Sequence, residues 1–198
     1  FPRCNRVNYK HLCAGWACHR GVERQLEVYI RSRESSPECI QIMNIVKASI
    51  EDASALLELQ KLAYRSEAVL YNDFSIPPLV QTLEGLKEEF SNKTVLKAVL
   101  DDLLVGSVRG WEKNATCFVE RLVVHPDFQS RGIGTKLMNE LEGCFPGARR
   151  FELFTGHKSE KNIRLYGKLG YRIFKHQRVT DTLSFAFMEK LKHRAEKR

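Results

Sequence analysis

Apolar positions along the chain change spacing repeatedly, from every second residue over short runs to every third or fourth over longer ones, and each change marks an element. Residues 44–48 read as a short strand. Ser49 then caps a helix over 52 to about 66, with Asp52 in place of the usual capping-box Glu and Leu56, Leu59, Leu62 and Ala63 on its apolar face. Residues 71–78 read as a loop stiffened by Pro77-Pro78, and Leu79, Leu83, Leu86 and Phe90 recur at the spacing of a second helix. Alternation over 95–100 and 103–111 predicts two strands joined across Asp101-Asp102, and a turn at Lys113-Asn114 leads into a third over 115–124. Later come a strand over 150–154, a helix over 160–169 capped by Ser159 and stopped by Gly170, and a final pair of strands over 171–179 and 182–189.

The stretch 120–143 organises the rest. Val119, Leu122, Val123 and Val124 are strand formers, Pro126 and Asp127 break the strand, and Ile133, Leu137, Met138 and Leu141 recur at helical spacing. Gly132 and Gly134 therefore fall at the first turn of a helix. Backbone N–H groups there have no partner within the helix, and the helix dipole adds partial positive charge, a combination that binds phosphate. The glycines let an anion approach closely, with Gln129 and Arg131 beside them and Arg131 able to add a charge-assisted hydrogen bond. A Rossmann dinucleotide site would want a third glycine, but this chain offers Thr135, Lys136 and Leu137 there.

Composition narrows the classes. At 198 residues and 43% hydrophobic the chain suits one well-buried core better than two. No apolar run approaches the roughly 18 residues of a membrane span, so no membrane partner is expected and the localisation expected is cytoplasmic. The net charge of +8 invites a nucleic-acid partner. Bases are nevertheless interleaved with acids, and the clearest excess is terminal, at Lys190, Lys192, Arg194, Lys197 and Arg198, so no nucleic acid is expected. Cys4, His11, Cys13, Cys18 and His19 fit no standard zinc spacing, Cys39 stands apart, and Cys117 and Cys144 read as free thiols, so no metal is expected. Residues 26–30 alternate weakly. Phe1 is not a natural start, and Met43 is the better candidate, so residues 1–42 read as an extension, poorly ordered or not native, in front of a domain over 43–198.

The phosphate turn is one half of a wider pattern. Gln129, Gly132 and Gly134 match the fixed positions of a Gln/Arg-x-x-Gly-x-Gly/Ala signature, and Asn162 followed by Tyr166-Gly167-Lys168-Leu169-Gly170-Tyr171 is similar to a second segment, Asn then Tyr-x-Lys-x-Gly-Phe. In these two motifs the chain resembles the GNAT superfamily of acyl-CoA-dependent N-acetyltransferases, over about 43–190. The resemblance implies an α/β (α+β) fold with a mixed central sheet of about six to seven strands flanked by four helices. It also implies an acyltransferase that moves an acetyl group from acetyl-CoA to a primary amine, in a ternary complex and without metal.

The resemblance also assigns residues. Acyl-CoA is expected where the strand before the phosphate turn splays from the next parallel strand, between 120–124 and 150–154, with pantetheine along Leu122, Val123 and Val124. The pyrophosphate is expected on the amides of Gln129, Ser130, Arg131, Gly132, Ile133, Gly134 and Thr135, where alanine at Gly132 should act mainly by crowding. Glu120 is the expected base; on a regular strand it shares a face with Phe118 and Leu122, which would raise its pKa. Its ordinary account is a carboxylate paired with a nearby Arg or Lys. The histone-acetyltransferase branch has its Glu at the position of Phe118, which weakens that reading. Tyr166 is the expected acid for the leaving thiolate, or else a packed aromatic, and Asn162 shares its helix face and is expected on the cofactor. The acceptor pocket is expected at Tyr64, Tyr71, Asn72, Asp73, Phe74, His157 and Phe185, although Asp73 equally caps a turn and His157 equally lies on the surface. A small-molecule acceptor is favoured. A non-catalytic acyl-CoA-binding module and a protein acetyltransferase are the rivals, and a homodimer stays open.

Overall fold

The alternating runs form strands and the longer-spaced runs form helices in a computed structural model that describes residues 42–180 and 183–192. The N-terminal cysteines and histidines, the alternation over 26–30, the basic end beyond Lys192 and the start of the strand expected at 182 lie outside the described residues. The strands are β1 (Met43–Lys47), β2 (Thr94–Leu100), β3 (Leu103–Lys113), β4 (Thr116–Val124), β5 (Arg150–Gly156), β6 (Arg172–Arg178) and β7 (Ser184–Leu191). The helices are α1 (Ala53–Tyr71), α2 (Pro77–Val80), α3 (Leu83–Glu89), α4 (Ile133–Cys144) and α5 (Glu160–Lys168). All seven strands join one sheet in the order β1-β2-β3-β4-β5-β7-β6, in which β4 and β5 run parallel and every other neighbouring pair antiparallel. Among the described residues no helix is long and apolar enough to cross a membrane.

Local chemistry accounts for the joints. Asp101 and Asp102 take positive φ, 46° and 68°, the conformation a two-residue hairpin turn requires and one that Asp tolerates. The next hairpin turns at Asn114-Ala115, one residue later than the sequence reading, again with both φ positive. Ser49 N–H donates to Asp52 Oδ2 at 2.9 Å, so Asp52 serves the capping box in place of Glu. α1 runs five residues past the expected end at 66. It stops where Asn72 adopts φ 51° and Asp73 N–H reaches Ala68 O at 2.9 Å, a Schellman ending. The single helix expected from Leu79 to Phe90 is two, because Gln81 is extended (ψ 134°) and Thr82 caps α3 by accepting from Gly85 N–H at 3.1 Å. Ser159 precedes α5 but turns its hydroxyl away from the helix, onto Glu67.

Successive residues of β3 face opposite sides of the sheet. On one side Ala53, Leu56, Leu57, Leu86 and Val95 form the core under α1 and α3. On the other, α4 lies so close that a Cβ on Gly106 would stand 2.9 Å from Leu137 Cδ1, and one on Gly110 would stand 3.1 Å from Leu141.

Between α1, α3 and the sheet runs a buried polar chain. Gln60 and Arg109 are 0% and 1% exposed. Arg109 donates to Gln60 Oε1 at 2.6 Å and to Glu89 Oε2 at 2.8 Å, Glu89 meets Lys93 at 3.5 Å, and Lys93 reaches Glu120. Each of these side chains meets another, though the Nε of Arg109 itself makes no hydrogen bond.

Candidate active site

The parallel pairing of β4 and β5 is short. It joins Thr116 to Arg150, Cys117 to Phe151 and Phe118 to Glu152, and stops. Beyond it β3 carries β4 on to Val124 and β7 carries β5 on to Gly156, so the two strands diverge and leave backbone groups between them. The split lies where the sequence reading expected it on β4. On β5 it begins later, since Arg150 to Glu152 stay paired and the open arm is Leu153–Gly156.

At the foot of the split the chain turns through Pro126–Phe128 into α4. Gln129 Nε2 donates to Val124 O at 3.3 Å, while Arg131 donates to Asp127 O at 3.1 Å and lies over the Phe128 ring at 4.9 Å. Both side chains brace the loop with one hydrogen bond each. The amides from Ser130 to Thr135 make no backbone hydrogen bond to another described residue, and they span the turn and the start of α4. This is the anion-binding arrangement that a helix start provides.

The two glycines serve different ends. Gly132 has φ +80° and a Cβ there would meet no protein atom within 4 Å, so within the chain its constraint is conformational. Gly134 is a packing glycine, for its Cβ would stand 3.3 Å from Leu165 Cδ2 of α5. Gly132→Ala is therefore expected to cost about 1–2 kcal/mol through backbone strain alone. Urea unfolding at unchanged m checks it, and an undiminished midpoint would refute the strain argument.

Glu120 is not where period-two reading puts it. Val123 pairs with Ser107 and Glu120 with Arg109, so Arg121 and Leu122 together oppose Val108, and Arg121 takes φ +53°. This bulge shifts the alternation by one. Glu120 stays on the α1 and α3 side with Arg109, whereas Leu122 turns to the α4 side, within 3.8 Å of a Cβ built on Gly134. The shared apolar face with Leu122 therefore does not exist. Glu120 accepts from Lys93 Nζ at 2.5 Å and from Trp111 Nε1 at 2.9 Å, and Trp111 stacks on Phe118 at 4.6 Å. Burial pushes its carboxyl up, but the hydrogen bonds from Lys93 and Trp111 and the charges of Lys93 and Arg121 outweigh it and hold the group below the ordinary carboxylate range. The expected rise is corrected to a fall.

Tyr166 of α5 is buried, 8% exposed, with its ring 6.0 Å from Tyr171. Burial above all, and then Tyr64 and Glu67 across the split, push its hydroxyl well above an ordinary phenol. Asn162 donates to Glu67 Oε1 at 3.2 Å and lies 3.5 Å from Thr155 Oγ1, so its amide nitrogen is engaged by protein. Ser159 Oγ donates to Glu67 Oε2 at 2.6 Å. Glu67 thus joins α1 to the start of α5 beside Tyr166. The sequence reading missed it because it ended α1 at residue 66. A helix-spacing check would have found it, since Glu67 lies one turn after Tyr64 and one turn before Tyr71.

The expected acceptor residues separate into two groups. Tyr71 and His157 come together, with ring centroids 5.9 Å apart, and the Tyr71 hydroxyl accepts from Lys158 N–H at 2.7 Å. The Tyr71 ring lies directly on Gly156, where a Cβ would stand 2.3 Å from the hydroxyl oxygen. His157 Nδ1 lies 3.0 Å from the Ser184 backbone and ties the end of β5 to β7. Asp73 accepts from Ser75 N–H and Oγ at 2.8 and 2.6 Å, so it caps a turn, and Phe74 is 61% exposed. Phe185 packs on Phe154 at 4.8 Å. Two surface depressions, of ≈ 300 Å³ at Ile50, Ser54 and Leu83 and ≈ 240 Å³ at Glu142, Phe151 and Lys190, both lie away from the split.

Comparison with known proteins agrees with this geometry. The model of the acetyltransferase (GNAT) family matches residues 55–171. Among solved structures the chain is similar to the PaiA N-acetyltransferase of Thermoplasma acidophilum in complex with coenzyme A, at 20% identity and TM-score 0.65, covering 76% of this chain and 99% of that one. It is also similar to the ribosomal-protein-S18-alanine N-acetyltransferase of Escherichia coli, at 15% identity and TM-score 0.62, covering 78% and 97%. A third likeness is to YncA, a putative acetyltransferase of Salmonella typhimurium with its cofactor acetyl-CoA, at 20% identity and TM-score 0.61, covering 78% and 98%. Comparison with curated proteins finds no match.

Proposed function

Because the chain belongs to the acetyltransferase (GNAT) family, we propose that it moves an acetyl group from acetyl-CoA to a primary amine of a small molecule, by direct attack in a ternary complex. The observation that carries this reading is the row of uncommitted amides from Ser130 to Thr135 at the foot of the β4–β5 split. The coenzyme A of the Thermoplasma structure and the acetyl-CoA of the Salmonella one support the same ligand here. The pyrophosphate belongs on the amides of Ser130 to Thr135, since the Gln129 amide already donates to Pro126 O. The pantetheine arm belongs along Leu122, Val123 and Val124, with the thioester end near Tyr166.

The amine nitrogen forms a bond to the acetyl carbon, the carbon–sulfur bond breaks, and the thiolate gains a proton while the amine loses one. Tyr166 donates a hydrogen bond to the departing sulfur. Two carboxylates compete to take the amine's proton. Glu120, the base expected from the resemblance, has a cation and an indole N–H on its oxygens. Glu67 is held by neutral donors only and lies beside Tyr166, which makes it the stronger base candidate.

Calorimetry with coenzyme A and acetyl-CoA tests the first part, and the absence of heat at millimolar ligand would overturn it. Thiol release across an amine panel tests the second. Glu67→Gln is expected to lower kcat by about 10²-fold or more, and Glu120→Gln by less, with coenzyme A affinity kept in both. The reverse order would return the role to Glu120.

A further inference from the structure

Two charges at the split have no ion-pair partner among the described residues. Lys93, Lys97, Arg109, Arg150, Arg164 and Lys190 each have a carboxylate within ion-pair distance, but among the described residues Arg121 has none. Its guanidinium is a hydrogen-bond partner of the Tyr64 hydroxyl, and its Nε, like those of Arg109 and Arg150, is buried without a hydrogen bond. Glu120, its neighbour in the chain, has both oxygens committed to Lys93 and Trp111. On α1 Glu67 accepts only from the neutral Ser159 and Asn162, with no cation in ion-pair distance among the described residues. Both face Tyr64 of α1. Arg121 Cζ stands 6.0 Å from its ring centroid, and both charges act on its hydroxyl.

The backbone holds Arg121 in this place at some cost. A residue with a side chain disfavours φ +53°, and the bulge that imposes it puts Arg121 on the α1 side of the sheet, away from the phosphate turn. A half-buried guanidinium with no carboxylate in ion-pair distance among the described residues is matched best by a planar carboxylate. A phosphate would call for further positive charge, and the nearby Arg109 is already committed to Glu89.

We propose that the acceptor is an amine that also carries a carboxylate, as an α-amino acid does, held with its carboxylate on Arg121 and its ammonium on Glu67. The assignment rests on the acetyl transfer proposed above. It places the nitrogen beside the carboxylate that takes its proton and next to the hydroxyl that serves the thiolate.

Matched acceptors test it on the full chain: alanine against ethylamine, serine against ethanolamine, phenylalanine against phenethylamine and lysine against cadaverine, with thiol release as readout. At least one acid-bearing member is expected to exceed its partner in kcat/KM by about 10-fold to 100-fold, the range of a hydrogen bond to a charged group. Arg121→Met is expected to bring that ratio close to one, chiefly through KM, and Arg121→Lys to restore part of it, with coenzyme A affinity unchanged in both as the check that they fold. Equal or better use of the amines lacking a carboxylate overturns the inference, as does a ratio that survives Arg121→Met, or coenzyme A binding with no acid-bearing amine acetylated. Failure to bind coenzyme A overturns the acetyl-transfer reading itself and is thereby distinguished from these.

Discussion

Tyr166→Phe is expected to lower kcat by about 10²–10³-fold while coenzyme A binds as before. The hydroxyl is the one group removed, and the ring goes on filling its place against Tyr171. Burial, with Tyr64 and Glu67 adding to it, raises the hydroxyl above the ordinary phenol value of about 10. The sign of the pH dependence follows. The donor form is the protonated one, so a raised pKa keeps it present through neutral and mildly alkaline pH, and no loss of kcat from Tyr166 should begin below about pH 10. Full proton transfer to a thiolate whose conjugate acid titrates near 8.5 runs uphill from such a phenol, so the benefit is that of a hydrogen bond aimed at developing charge. A kcat that falls less than several-fold in the phenylalanine variant, or a limb in the wild-type profile between pH 7 and 9 that the variant lacks, contradicts this role.

The largest expected effect on stability lies at Arg109. Arg109→Met should destabilise the fold by about 3–5 kcal/mol, because it leaves the buried Gln60 without its donor and takes from Glu89 its nearer cation, with only Lys93 at 3.5 Å remaining. Arg109→Lys should recover little, since one ammonium cannot reach both the Gln60 and the Glu89 oxygens in the geometry of the guanidinium fork. Arg164→Met is the matched control. Its contact with Glu160 is exposed on both sides, 71% and 79%, and exposed pairs contribute about 0–1 kcal/mol. Chemical denaturation of the three variants checks the ranking; an Arg109→Met loss no larger than the Arg164→Met loss would show that the buried chain is dispensable.

The strands are legible in the sequence because Val, Leu and Ala alternate with polar residues there, and the hairpin at Asp101-Asp102 because aspartate tolerates positive φ. The phosphate turn is legible for the same kind of reason, as Gly132 and Gly134 stand before a helical repeat. Sequence reasoning loses its hold where a local rule meets a tertiary exception. Nothing in Glu120-Arg121-Leu122-Val123 marks a bulge, for no glycine stands there, yet pairing with β3 forces the extra residue and moves Leu122 to the other face. The helical repeat runs through Gln81 without a break in apolar spacing, although the chain itself breaks there. Glu67 lies beyond the point where the apolar face of α1 fades, and its importance comes from Ser159 and Asn162, more than ninety residues away in the chain.

The three paired positions between β4 and β5 have a mechanical consequence. A sheet of seven strands is stitched at its middle by its shortest ladder, so the cleft is also its weakest seam. An extended ligand with amide groups, threaded along the β4 arm, would supply rungs that the polypeptide leaves out. A donor bound there would mend a gap in the fabric of the sheet, and its departure would open the seam again.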